Sequence, residues 1–127
     1  MITITDERAL PLIVEAELFD GFGAHDSRGW RDAYNRYRQH LEETWSGIVR
    51  VWQAWRQARV ADGDPTPGWD NAQTPTGVVI YGVTGSTRWL VRGNGEIEFS
   101  VRHAYPESEL GAKKIARAKR LGFGIAT

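Results

Sequence analysis

The sequence predicts an α+β fold, a single domain over residues 1–127. Its parts are a long Trp-rich helix and a three-stranded antiparallel meander backed by a C-terminal helix. Three observations carry this. Within residues 27–61, Trp30, Tyr34, Tyr37, Leu41, Trp45, Ile48, Trp52 and Trp55 follow one another at steps of three or four. At 100° per residue all eight fall within roughly 80° of a helix surface. Residues 78–102 hold three short β-prone runs separated by turn residues. After Pro106 the chain returns to a helical pattern rich in Ala and Lys.

Composition narrows the class. A chain of 127 residues with 41% hydrophobic and 25% charged residues is ordinary for one globular unit. Net charge is zero, so the whole chain exerts no pull on nucleic acid or membrane. The halves differ: residues 1–77 carry 8 basic and 12 acidic residues, a net of −4, and residues 78–127 carry 8 and 4, a net of +4. This asymmetry points to a polyanionic partner for the C-terminal part. Cysteine is absent, which excludes disulfides and thiolate metal sites and suits a cytoplasmic location. No apolar run approaches the ~18 residues of a membrane span, and the N-terminus lacks a basic leader.

In chain order, a helical part covers residues 1–61. Ile2 and Ile4 alternate with Thr3 and Thr5 as in a short strand with one buried face. Leu12, Ile13, Ala16 and Phe19 keep helical spacing, which predicts a helix over 6–18; Pro11 argues against its running through that point, and a strand over 12–18 is the alternative. Residues 20–27, with Gly21, Gly23 and the pair His25-Asp26, read as a loop. The long helix then occupies 27–61, with Asp32, Gln39, Glu43, Arg50 and Gln57 opposite its aromatic stripe. About 34 residues at 1.5 Å reach ~50 Å, against a diameter of roughly 36 Å for a compact domain of this size. The helix therefore overhangs its domain and pairs with a second copy, or it bends at Ser46-Gly47, a common type of kink site. Residues 62–76, rich in Pro and Gly, form a linker or a loop clamped by Trp69.

The β-β-β-α part covers residues 77–127. Strands are expected over 78–83, 88–92 and 96–102, with Thr84-Gly85-Ser86 as the first turn. Asn94-Gly95 makes a tight hairpin in which both central residues take positive φ. In the third strand Ile97, Phe99 and Val101 face in, while Glu98 and Ser100 face out. Glu96 and Glu98 on one strand face read as exposed charges that discourage edge pairing. A helix then runs from Pro106 to about Leu121. Glu107 and Glu109 lead it, Leu110, Ile115, Ala118 and Leu121 lie inside, Gly111 and Ala112 permit close approach, and Gly122 or Gly124 ends it.

Residues 76–121 resemble the APETALA/ethylene-response-factor type of DNA-binding domain. The resemblance rests on Thr76-Gly77-Val78 opening the first strand, Arg88-Trp89-Leu90-Val91-Arg92 in the second, Phe99-Ser100-Val101 in the third, and the Ala- and Lys-rich helix after Pro106. It implies that the sheet enters the major groove. Trp89 and Val91 would pack on the helix, while Val79, Tyr81, Arg88, Leu90, Arg92, Glu98, Ser100 and Arg102 would face DNA. Arg88, Arg92 and Arg102 suit guanine edges and phosphates. Val79 and Leu90 depart from the polar or basic residues usual there. With Tyr81 they would equally form the apolar centre of a protein-binding face ringed by Arg.

Motifs for chemistry are missing. His25, His40 and His103 are scattered, and no nucleophile elbow, phosphate loop or dinucleotide fingerprint occurs. The expected function is therefore non-enzymatic binding, with no cofactor and no metal. The first candidate is a small accessory protein contacting duplex DNA through Arg88, Arg92, Arg102, Tyr81, Leu90 and Ser100. The alternative is a small protein-protein inhibitor or adaptor, such as a phage-type anti-defence or anti-CRISPR protein. It would act on a host protein or nucleoprotein complex through the same face or the aromatic helix. A homodimer through the 27–61 helix is expected, and no membrane partner.

Overall fold

The computed structural model describes residues 1–22, 28–63, 78–81 and 87–126, and the side chains among them other than those of 18–22, 28–31, 33, 34, 37 and 78–81. It is α+β, with three helices and a mixed sheet. The order is α1 (Ala9–Phe22), α2 (Arg28–Ala61), β1 (Val78–Tyr81), β2 (Arg88–Val91), β3 (Ile97–Ser100), a 3-10 turn (Arg102–Ala104), α3 (Glu109–Arg120) and β4 (Gly124–Ala126). The expected turn at Thr84-Gly85-Ser86 and most of the 62–76 segment, with Trp69, lie outside the described residues, as does His25.

The N-terminal segment keeps its alternation. Ile2 and Ile4 are buried, Thr3 bridges Glu96, and Ile4 N–H donates to the Gly95 carbonyl at 2.7 Å. The helix that follows begins later and ends later than 6–18. Asp6 organises its start: one carboxylate oxygen accepts from the Arg8 backbone N–H at 2.9 Å, and the other pairs with the Arg8 guanidinium at 2.9 Å. These hydrogen bonds from Arg8 hold the Asp6 carboxyl below the usual carboxylate range. Pro11 lies in the first turn of α1, where a backbone N–H has no helical acceptor anyway, so it does not break the helix. The helix also absorbs residues 20–22, expected as loop.

Helix α2 runs without a break through Ser46-Gly47. Its stripe is only partly covered. Leu41 and Trp52 are buried, Trp45, Ile48 and Trp55 are half-buried, and the side chains of Trp30, Tyr34 and Tyr37 lie outside the described set. Trp52 anchors the helix to the rest of the chain: its indole N–H donates to the Arg92 carbonyl at 2.9 Å, and its ring lies against Gly95.

The sheet has the order β1-β2-β3-β4. The first three strands form the expected antiparallel meander, with Trp89 opposite Phe99 and Leu90 opposite Glu98. The expectation of a purely antiparallel three-stranded sheet fails at β4, which lies parallel to β3, with Phe99 opposite Ile125. Helix α3 is the crossover that parallel pairing requires. The hairpin is also of another type. Only Gly95 takes positive φ, at 89°; Asn94 does not. Gly95 N–H donates to the Arg92 carbonyl at 2.9 Å, and Arg92 N–H to the Glu96 carbonyl at 2.8 Å. This is a three-residue loop closed by a left-handed glycine.

Helix α3 starts at Glu109, capped by Ser108, whose hydroxyl accepts from Gly111 N–H at 2.9 Å; Pro106 stays outside the helix. Leu110, expected inside, is 48% exposed. Gly111 does permit a close approach, but to the 3-10 turn: an added Cβ would strike the Ala104 and Tyr105 carbonyl oxygens. Gly122, at φ 99°, follows the C-cap Leu121, and Gly124 belongs to β4. One core joins these elements. At its centre the Trp89 ring lies 4.7 Å from the rings of both Phe99 and Phe123, with Ile13, Val91, Ile97 and Ala118 around them in the same cluster.

Candidate nucleic-acid interface

Alternation along β2 and β3 separates two faces of the sheet. Trp89, Val91, Ile97 and Phe99 occupy the core face, as expected, each at most 1% exposed. A buried carboxylate supports that face. Glu17 of α1, 1% exposed, accepts at one oxygen from both the Trp89 indole N–H and the Thr87 hydroxyl, each at 2.7 Å. The periodicity of the sequence gives no sign of this acid, because Glu17 occupies an apolar position of its helix.

The second face carries Arg88, Leu90, Arg92, Glu98 and Ser100. It is not the open surface that the sequence predicts. Leu90, Glu98 and Ser100 are 7–8% exposed. Arg92 lies along the face with its Nε 2.7 Å from Glu98 Oε1. Glu98 is therefore no solvated edge charge; its side chain also crosses β4, where a Cβ at Gly124 would come within 2.9 Å of its Cγ. An arginine held by a buried carboxylate has much of its charge cancelled locally.

Arg102 departs from expectation in a different way. The strand stops at Ser100, and Val101 takes helical angles, φ −61° and ψ −41°, opening the 3-10 turn. Arg102 leaves the sheet and is exposed on that turn. Its two-residue relation to Ser100 is lost, yet the turn brings a further residue into play. His103 Nδ1 lies 3.0 Å from Ser100 Oγ. Continuing the β2–β3 register places Arg88 opposite Ser100 on the same face. Burial, then the charge of Arg88, then that of Arg102, push the His103 pKa down. Arg88, Ser100, Arg102 and His103 thus gather at one corner of the sheet. His103 is the member that sequence reasoning missed. An i, i+3 relation to Ser100 across the strand end was the available signal.

Chemically, this corner brings two guanidinium groups near one imidazole, whose protonation would add a third positive charge. The Ser100 hydroxyl is tied into the turn by His103. The side chains of Tyr81 and Val79 lie outside the described set, although their backbones pair with Arg88 and Leu90 respectively. Among the described residues no group of His, Asp and Glu is arranged to hold a metal ion, and no helix is long and apolar enough to cross a membrane.

No family model, no curated protein and no solved structure matches this chain.

Proposed function

We propose that this chain is a non-enzymatic binding protein, a small accessory protein that contacts duplex DNA. The contact is made at the sheet corner formed by Arg88, Arg102 and His103, with Ser100 beneath them. One observation carries the reading: Arg88 and Arg102, from separate elements, meet at His103, which is bonded to Ser100 and whose pKa is lowered first by burial and then by their two charges. They stand in a part of the chain carrying +4. Phosphate complements that charge. Arg92 takes a smaller part than the sequence suggests, because Glu98 holds it.

Fluorescence anisotropy with a labelled duplex tests this. Each phosphate contact contributes a slope of about −0.9 to log K against log salt. Arg88 and Arg102 together then give a slope near −2. Replacing both by Ala should flatten it towards zero, and Arg92→Ala should change it little. Absence of duplex binding at low salt would refute the reading.

A second reading, an inhibitor or adaptor that binds a protein, is favoured by the exposed Val51 and Val60 of α2, at 58% and 48% exposure. A pull-down from host extract, with and without nuclease, separates the two. Partners lost with nuclease support DNA, and a complex that survives supports the protein partner.

A further inference from the structure

Gly47 poses a problem that the monomer does not solve. It sits near the middle of a 34-residue helix, where glycine disfavours the helix by about 1 kcal/mol relative to alanine. The helix is not interrupted there. Among the described residues nothing needs its small size either: the nearest atom to an added Cβ, at 4.0 Å, is the flexible end of Arg50. A glycine without a local reason on a helix surface fits close approach by another backbone.

The surroundings of Gly47 are those of a contact face. Thr44, Gly47, Val51, Ala54 and Ala58 follow at steps of three and four, about 120° round the helix from the stripe that holds Leu41 and Trp52. Thr44, Val51, Ala54 and Ala58 are exposed, Val51 at 58%. The Thr44 hydroxyl donates back to the His40 carbonyl at 2.9 Å, which leaves its methyl as the group available for packing. Glu43 and Arg50 border this face on one side, four residues before Gly47 and three after it. Arg50 makes no ion pair with any of the described residues.

We propose that this face is the contact between two copies of the chain, with α2 crossing its counterpart antiparallel at Gly47. Charge complementarity selects the occupant and the direction. A two-fold axis through Gly47 sets Glu43 of each copy about 1.5 Å along the axis from Arg50 of the other, which gives two opposite-charge pairs. Val51 then meets the Thr44 methyl, and the two glycines allow the backbones to touch. A parallel two-fold arrangement would instead put Glu43 and Arg50 of the two copies on opposite flanks of the seam, where they form no such pairs. The length of α2, which runs past its last buried residue, Trp52, to Ala61, leaves the face clear of the body. One crossing buries less than the ~1,200 Å² at the low end of stable interfaces, so the dimer is a weak one.

Sedimentation equilibrium from about 10 μM to about 1 mM, the range suited to a weak interface, tests the proposal without reference to DNA. The wild type should move from the chain mass of 14.3 kDa towards twice that value. Gly47→Leu should abolish the shift while the melting temperature stays equal or rises, because leucine favours the helix. Glu43→Arg and Arg50→Glu should each weaken association roughly tenfold, and the double exchange should restore it. A wild type that remains monomeric overturns the proposal and leaves the face to a different partner. Association that survives Gly47→Leu overturns the crossing point, and a double exchange that fails to restore it overturns the antiparallel register.

Discussion

Replacing Trp52 by Ala should separate the anchoring part of α2 from the rest of its stripe. Trp52 is 5% exposed, its indole N–H donates to the Arg92 carbonyl at 2.9 Å, and its ring covers Gly95. Truncation removes a large buried ring and one of the two donors to the Arg92 carbonyl, which keeps the Gly95 N–H. A core Trp→Ala change costs ~3–5 kcal/mol; the lost hydrogen bond is one part of that total. Trp45, expected from sequence to be equally deep, is only half-buried. Its replacement should cost about half as much, in proportion to the area removed from water. For a domain of this size, 3–5 kcal/mol lowers the melting temperature by roughly 10–20 °C. Urea denaturation followed by circular dichroism measures both variants. Trp52→Phe is the control: it keeps most of the ring and loses only the indole hydrogen bond, about 0.5–1.5 kcal/mol, since Gly95 N–H still donates to the Arg92 carbonyl. Equal losses for Trp52→Ala and Trp45→Ala would refute the view that one tryptophan pins the helix.

Glu17→Ala should destabilise by ~2–4 kcal/mol, since it strands both the Trp89 indole N–H and the Thr87 hydroxyl in the core; Glu17→Gln, which keeps an acceptor, should lose less, and denaturation curves that rank the two the other way would count against this role. His103 should titrate below the ~6.5 of a free imidazole when its ring protons are followed by NMR, and Arg88→Ala or Arg102→Ala should raise that value. Because the folded state holds this proton less tightly than the unfolded one, the stability linked to His103 is present above about pH 6.5 and is lost as the pH falls through its folded pKa. Addition of a duplex bound at this corner should raise the pKa, whereas a protein partner seated on α2 should leave it unchanged.

The sequence carried the fold where side-chain periodicity alone decides it. The eight-residue stripe gave α2 almost to its ends, and the alternation of Ile97 and Phe99 gave the core face of the sheet. Coverage is not written in periodicity. Trp45 and Trp52 have the same place in the pattern, and only Trp52 meets the hairpin. Strand β4 has three residues and no alternation of its own; it exists because β3 offers an unpaired edge and α3 returns the chain beside it. Phe123 enters the core for the same reason. The buried carboxylates were illegible: Glu17 is held by Thr87 and Trp89, far along the chain, and Glu98 by Arg92 across the hairpin. An isolated charged residue reads as a surface residue until those partners are known.

The candidate site moved for a comparable reason. Extrapolating a two-residue period from Ser100 to Arg102 assumes that the strand continues, and the helical angles at Val101 end it two residues short, at Ser100. The same turn that removes Arg102 from the sheet face carries His103 back to Ser100. On the sheet itself, Glu98 lies between β2 and β4 and holds Arg92, so the middle of the face is close to neutral. At the corner the charges of Arg88 and Arg102 both act on His103, the turn having added Arg102. A ligand drawn by charge would therefore approach the end of the sheet rather than its centre. That geometry differs from a sheet laid flat in the major groove, the arrangement the resemblance to APETALA-type domains implies. Contact through the corner favours phosphates over base edges, because two guanidinium groups on one turn and one strand end can follow a backbone without entering a groove. Binding of that kind would position the protein on a duplex while reading little of its sequence.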